Sequence, residues 1–221
     1  MIVDERIITF INSLDTKNSE ILEDIEREAL ADNVPIIRRE MQSFLKVLLM
    51  VKKPMRVLEV GTAVGFSALL MSEYVPEECA ITTIENYEKR IPIARQNFVR
   101  AGKEKKITLL EGDAMDVLKT LEGPNDFIFM DAAKGQYIHY LPEILRLLAK
   151  GGILVSDNVM QDGDVIESRF AVERRDRTIH ARMREYLYEL KHNDALVTSI
   201  IPLGDGVALS VKKEVGTDIA Q

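Results

Sequence analysis

The chain has one cysteine, Cys79, in 221 residues, so no internal disulfide framework can staple it. That usage suits a reducing, cytoplasmic compartment. No apolar run approaches the roughly 18 residues that a membrane span needs. The opening MIVDERIITF mixes acids and Arg6 with apolar residues, unlike a secretory leader. Positive charge is scarce: 29 Lys and Arg face 36 Asp and Glu, a net charge of −7. This argues against indiscriminate nucleic-acid binding but leaves room for a local basic patch. Internal repeats, low-complexity segments and linkers are absent. What is present is ordinary for a soluble globular protein, with 46% apolar and 29% charged residues. The expectation is one domain over 1–221, with a helical region over 1–53 and an α/β core over 54–213.

The central stretch is VLEVGTAVGFS, Val57 to Ser67. Its apolar start reads as a buried strand, its glycines Gly61 and Gly65 as a turn, and Ala68 to Met71 as the start of a helix. Free backbone N–H groups then stand above the strand, where glycine permits close approach. Two familiar phosphate-binding patterns are missing. Phe66 follows Gly65 where a P-loop would place Lys, and G-x-x-x-G is not the G-x-G-x-x-G of dinucleotide folds. No Lys or Arg lies in the loop, and Glu59 would repel a polyphosphate. An acid beside such a loop suits a positively charged nucleoside, and E-x-G-T-x-x-G-x-S resembles the first motif of S-adenosylmethionine (SAM) methyltransferases. The other reading is an ordinary strand-to-helix turn.

Around this stretch the pattern predicts helices and then alternation. Asn18 or Ser19 can cap a helix carrying Leu22 and Ile25. Met41, Phe44, Leu45, Leu48 and Leu49 follow helical spacing, which reads as core packing. Strands are expected at Val57–Val60, Ala80–Ile84, Ile107–Leu110, Phe127–Met130 and Ile153–Ser156. A helix bearing Tyr137, Tyr140, Ile144 and Leu148, with Pro142 near its start or kinking it, lies before the last of these. A helix through Met183, Leu187 and Leu190 follows. Strands Ala195–Ile201 and Val207–Val211 close the chain as a hairpin across Pro202–Gly206. Short apolar runs between helices indicate an α/β, Rossmann-like, doubly wound, mostly parallel sheet with an antiparallel C-terminal hairpin strand.

Ligands of such sheets bind beyond the C-terminal strand ends, and here each of five successive strand ends carries a carboxylate: Glu59, Glu85, Asp113, Asp131, and Asp157 with Asn158. Singly, each can be a helix cap or turn residue. Glu85, ending the second strand, is placed to accept hydrogen bonds from ribose hydroxyls. Asp131, Asp157 and Asn158 are hard oxygen donors from adjacent strands with no Cys or His among them, a composition suited to Mg²⁺. Their spacing is no recognised metal motif.

EVGTAVGFS, TTIE, GDA, DAAKGQY and SDN, in this order, resemble the metal-dependent, catechol-type O-methyltransferases. DAAKGQY, RRDRTIHARMREY and PLGDGVALS resemble the bacterial branch that methylates 5-hydroxyuridine at the tRNA wobble position. The resemblance implies that Gly61 and Ser67 contact the methionine part of SAM, with Glu59 in the same first motif. Glu85 would bind the ribose, Asp113 and Ala114 the adenine, and Ile37 would lie in the segment closing over the cofactor; Asp131 also touches that site. It implies Asp131, Asp157 and Asn158 as Mg²⁺ ligands and Lys134 as the residue that, with Asp131, assists deprotonation. It further implies a homodimer. The departure is in DAAK, where the catechol enzymes carry bulkier residues between Asp and Lys, and it points away from catechol. In 5-hydroxyuridine the 5-hydroxyl and 4-carbonyl are neighbouring oxygens and can chelate as a catechol does.

Six arginines, Arg169, Arg174, Arg175, Arg177, Arg182 and Arg184, cluster in this acidic chain. Arg174, Arg175, Arg177 and Arg182 are the candidates for gripping RNA phosphate near the tRNA anticodon; the alternative is a solvated face paired with Glu167, Glu173, Asp176 and Glu185. The leading expectation is thus a tRNA wobble-uridine O-methyltransferase. The alternatives are a small-molecule enzyme acting on catechol-like phenols and a SAM- or RNA-binding module without turnover.

Overall fold

The structure is a computed structural model that describes residues 2–214; Met1 and the last seven residues of the expected 1–221 span lie outside them. In chain order the helices and strands are α1 (Glu5–Ser13), α2 (Glu20–Ala31), α3 (Arg39–Lys52), β1 (Arg56–Val60), α4 (Phe66–Glu73), β2 (Ala80–Glu85), α5 (Ile91–Arg100) and β3 (Ile107–Glu111). Then come α6 (Ala114–Thr120), β4 (Asn125–Met130), α7 (Tyr137–Leu147), β5 (Leu148–Ser156), α8 (Arg177–His192), β6 (Leu196–Ile201) and β7 (Val207–Lys212). Two short 3₁₀ turns, Lys134–Gln136 and Gln161–Ile166, precede α7 and α8.

The strands form one seven-stranded sheet in the order β3-β2-β1-β4-β5-β7-β6. β1 to β5 run parallel, and β7 pairs antiparallel with both β5 and β6. This is the α/β Rossmann-like sheet with its C-terminal hairpin. The order reverses between β1 and β4, so the crevice of a doubly wound sheet opens above those two strand ends.

The two-residue period of β4 sorts the core onto two faces. Phe127 and Phe129 pack with Leu22, Ile25, Leu45, Leu49 and Phe98 from α2, α3 and α5. Ile128 and Met130 pack with Tyr137, Ile144, Met183 and Tyr186 from α7 and α8. The helical stripe of α3 behaves as its spacing predicts, with Met41, Leu45 and Leu49 fully buried. In β1 the same alternation turns Leu58 and Val60 toward α7 and α8 and leaves Val57 on the opposite face. Glu59 shares the parity of Val57 and so lies on the α4 side.

Several local expectations change. Ser19 occupies the N-cap position of α2 but makes no capping bond; its hydroxyl reaches Glu73 at 2.5 Å, tying α2 to α4. Asn18 instead donates to Gln42 at 2.8 Å. Pro142 sits inside α7, exposed on its outer side. β5 begins at Leu148, five residues early, because its pairing with β4 slips between Asn125 and Phe127. Gly151, at φ +67°, turns the extra residues, and its carbonyl accepts from Lys52 Nζ at 2.7 Å.

α1 buries none of its residues, and Ile7, Phe10, Ile11 and Leu14 are exposed along it. Val47, Met50 and Val51 are exposed on α3, against which α1 packs. No helix among the described residues is long and apolar enough to cross a membrane.

Candidate active site at the carboxyl ends of the strands

A cavity of about 540 Å³ opens above the ends of β1, β2, β4 and β5. The loop after β1 forms its floor. There the ends of β1 and β4 come so close that a Cβ on Gly61, at φ +94°, would sit 2.2 Å from the Asp131 carbonyl oxygen. Gly65, at φ +87°, faces the Phe98 ring at 2.6 Å in the same sense. Both positions therefore require glycine on steric and conformational grounds.

Glu59 lies under this loop and does not line the cavity. It is 0% exposed, and its carboxyl accepts from the hydroxyls of Ser67 and Thr83. Glu59 and Thr83 are direct partners in the β1–β2 pairing, on the same face. Burial pushes the Glu59 carboxyl up to about 7, against the pull of Ser67 and its other hydroxyl neighbours. Glu59 therefore shapes the floor through Ser67, which does line the cavity.

Glu85 is on the cavity wall, and its position is fixed by three backbone donors. Oε2 accepts from Ala63 N–H at 2.7 Å, and Oε1 from Asn86 and Tyr87 N–H at 3.0 and 2.9 Å. A carboxylate held this way retains lone pairs for hydroxyl donors from a ligand. Gly112 and Ala114 line the same side, next to Tyr87, Arg90 and Tyr140. Asp113 is exposed and caps α6, its Oδ1 accepting from Met115 N–H at 2.8 Å, and it does not line the cavity. The helix-cap reading of that acid is the one its side chain follows. Pro35 to Arg38, with Ile37 4% exposed, form the opposite wall, and Arg38 Nη2 lies 3.8 Å from Asp162.

Asp131, Asp157 and Asn158 meet at the ends of β4 and β5. Asn158 Nδ2 donates to Asp131 Oδ1 at 3.1 Å, and Asn158 N–H to Asp157 Oδ1 at 2.7 Å. Asn158 reaches both through a left-handed backbone, φ +58°, which asparagine tolerates. Burial pushes the Asp157 carboxyl up to about 7, with the nearby Asp131 charge adding to it. Asp131 is also raised, chiefly by burial. Tyr137, fully buried, braces both strand ends: its hydroxyl lies 3.1 Å from Met130 O and 3.2 Å from Asp157 O and Ala132 N. Its place in an apolar helical stripe hid this role.

Among the described residues no cluster of three or more His, Cys, Asp or Glu side chains is placed to hold a metal ion. The donor set here is two carboxylates and one amide. These fit a hard divalent cation, because two adjacent buried acids, both raised by burial and one further raised by the other, gain from a positive charge between them. Lys134 follows in the 3₁₀ turn, at the cavity wall, with Nζ 3.1 Å from Asp205 Oδ2. Sequence patterns did not single out Asp205, Thr83, Arg38 or Arg90, since none stands at a predicted strand end, and the role of Thr83 needs the strand register.

The arginines divide. Arg182 Nη1 donates to Gly135 O at 3.1 Å, Arg184 Nη1 to Val165 O at 2.9 Å and Arg177 Nε to Val172 O at 3.2 Å, so these three tie α8 to the loops before it. Arg175 pairs with Glu173 at 3.0 Å and Asp176 at 3.4 Å, with both partners largely exposed. Arg169 and Arg174 form no hydrogen bond or ion pair among the described residues.

The sequence matches the family model described as O-methyltransferase over residues 12–213. Caffeoyl-CoA O-methyltransferase 2 of Populus trichocarpa is 32% identical over 183 residues, covering 75% of this chain and 70% of that protein. A catechol O-methyltransferase of Niastella koreensis is 35% identical over 128 residues, covering 56% of this chain and 58% of that protein. The matched part is thus little more than half the length of that relative. Among solved structures, the SAH-bound Podospora anserina methyltransferase PaMTH1 superposes with a TM-score of 0.85, at 27% identity and 95% coverage of each chain. The acid-bearing strand ends, the glycine loop and these matches together place the chain in the O-methyltransferase family.

Proposed function

We propose that this chain transfers a methyl group from SAM to the 5-hydroxyl of 5-hydroxyuridine at the tRNA wobble position, giving 5-methoxyuridine. The observation that carries the methyl-transfer reading is the single cavity that brings together a carboxylate poised for ribose hydroxyls, an Asp–Asp–Asn oxygen set and a lysine. The family membership and the SAH-bound relative support SAM as the donor.

SAM, when bound, supplies an electrophilic methyl on a cationic sulfur. Glu85 would accept from its ribose hydroxyls, and residues of the Gly61–Ser67 loop would hold its methionine part. Asp131, Asp157 and Asn158 would hold a divalent cation, which would supply Lewis-acid chemistry to an acceptor with two neighbouring oxygens. Lys134 stands beside that set, where its ammonium would stabilise the oxyanion that the acceptor forms on losing its proton. The walls at Ile37 and Tyr140 would exclude water from the cofactor side of the cavity, and positioning of the reactants supplies much of the rate.

Two features favour RNA over a free phenol: the small Ala132 and Ala133 before Lys134, and the arginine-rich stretch 169–184, of which Arg182 reaches the turn that carries Lys134. The printed names of the relatives favour catechol-like phenols as the second reading. The exposed apolar residues of α1 and α3 support a homodimer built on that face. Replacing Phe10 and Val51 by Asp should then shift the protein toward monomer in sedimentation. An unchanged dimer, or a monomeric starting protein, removes this proposal.

Glu85→Ala should weaken SAM binding by roughly tenfold to a hundredfold, the loss of charge-assisted hydrogen bonds. Calorimetry giving an unchanged affinity would move the nucleoside elsewhere.

The oxygen set makes a pH-dependent prediction. Asp157 has a folded pKa raised to about 7 from 3.8, so the native state holds its proton where the unfolded state does not. Its contribution to stability is full below pH 4 and is lost as pH rises toward 7, by at most about 4 kcal/mol at 1.4 per unit. Without divalent cations, wild type should lose melting temperature over that range relative to Asp157→Asn. Mg²⁺ should raise the wild-type midpoint more at pH 8 than at pH 5.5 and leave Asp157→Asn unmoved. Equal Mg²⁺ effects on both proteins would sink the metal site.

For RNA, log affinity falls with log salt in proportion to the phosphates contacted. Replacing Arg174 and Arg175 with Ala should weaken tRNA binding and flatten that slope by about one to two units, with SAM affinity unchanged. Parallel slopes would leave these arginines as a solvated face and bring the phenol reading forward.

A further inference from the structure

The hairpin turn between β6 and β7 carries Gly204-Asp205-Gly206, part of PLGDGVALS, and no step above uses it. The turn is tightly built. Gly204 and Gly206 adopt φ +56° and +83°, and a Cβ on Gly206 would meet Met160 Cγ at 2.0 Å. Val159 N–H donates to Gly206 O and Met160 N–H to Asp205 O, both at 2.9 Å. These bonds join the turn to the loop that follows Asp157 and Asn158. Two glycines and a backbone lacing thus hold one residue, Asp205, at a fixed depth, 3% exposed, at the cavity wall.

Its two carboxylate oxygens have separate partners. Oδ1 accepts from Asp162 N–H, and Oδ2 takes Lys134 Nζ at 3.1 Å. Lys134 comes from the 3₁₀ turn after β4. Its side chain is 35% exposed against 2% for that of Asp205, so the carboxylate is the fixed member and the lysine the movable one. A four-carbon side chain has much rotamer freedom to lose, and a charge-assisted bond to a rigid partner is what restricts it.

We infer that Asp205 is a positioning residue that holds the Lys134 ammonium at the cavity wall beside the Asp131–Asp157–Asn158 set, so that the G-D-G turn belongs to the reaction machinery. The inference rests on the methyl-transfer reading of the same site. Lys134 is then presented in one orientation from a turn that also fixes the loop after the oxygen set.

Asp205→Asn isolates the point, because its amide oxygen can still accept from Asp162 N–H while its NH₂ replaces the partner of Lys134. Methyl transfer should be measured on 5-hydroxyuridine and on catechol, taking whichever the wild type methylates. Asp205→Asn should lower kcat about tenfold or more with KM nearly unchanged, and Asp205→Glu should recover part of it. Combining Asp205→Asn with Lys134→Gln should cost no more than Lys134→Gln alone, since the two act as a unit. SAM affinity and melting temperature should stay near wild type.

A second readout needs no activity. Acylation of Lys134 by acetic N-hydroxysuccinimide ester, followed by peptide mass spectrometry, should run about threefold or more faster in Asp205→Asn once the amine loses its charged partner. Exposed Lys105 in the same sample serves as the reference. Unchanged acylation, additive losses in the double variant, or a fall in melting temperature or SAM affinity matching the fall in kcat would each overturn the inference. A wild type that methylates neither acceptor would count against the functional reading, while the acylation arm still decides the Lys134–Asp205 contact.

Discussion

Everything in the site depends on how closely β1 and β4 approach at their carboxyl ends. With 2.2 Å between a notional Gly61 Cβ and the Asp131 carbonyl, no side chain fits between them. That contact sets the depth of the crevice at the point where the strand order reverses. It also fixes Asp131 relative to the glycine loop, since Asp131 N–H donates to Val60 O at 3.0 Å on the other side of the same junction. The cofactor floor and the oxygen set are therefore two sides of one backbone contact. Disturbing Gly61 would move both, whereas most side chains lining the cavity affect only one.

Around that junction the structure accumulates acid. Glu59 lies below the floor, Asp131 and Asp157 at its edge and Asp205 at the wall. Their protein partners are mostly neutral: Ser67 and Thr83 for Glu59, Asn158 for Asp131 and Asp157. Among the described residues only Asp205 of these four is ion-paired, to Lys134, whose charge also acts on Asp131 and Asp157. Burial raises the Glu59 and Asp157 carboxyls to about 7, for Asp157 despite the nearby Lys134 charge. A core assembled for stability alone would avoid this; buried acids so little compensated are a feature of binding sites.

Much of this was legible in the sequence, for identifiable reasons. Parallel strands buried on both faces write themselves as apolar runs, and the polar residue that ends each run marks the ligand side of the sheet. Hence Glu85, Asp131, Asp157 and Asn158 could be collected before any coordinates. Asp113 shows the limit of that rule: an acid after a strand also suits a helix start, and its carboxylate caps α6. Glu59 shows another, because two-residue alternation within β1 turns it below the floor. The pairing of Glu59 with Thr83 needed strand register, the bracing by Tyr137 was masked by its helical stripe, and the contact of Lys134 with Asp205 joins residues 71 apart. Long-range contacts of this kind leave no local periodicity to read.

The buried acids also bear on how the empty protein differs from the loaded one. Each uncompensated carboxylate lowers the stability of the ligand-free fold at neutral pH, and each is relieved when a positive ligand binds beside it. A cationic sulfur over the glycine loop and a divalent ion between Asp131 and Asp157 would do so at two places on the same junction. Because Asp131 contributes to the raised state of both Glu59 and Asp157, neutralising one place eases the other.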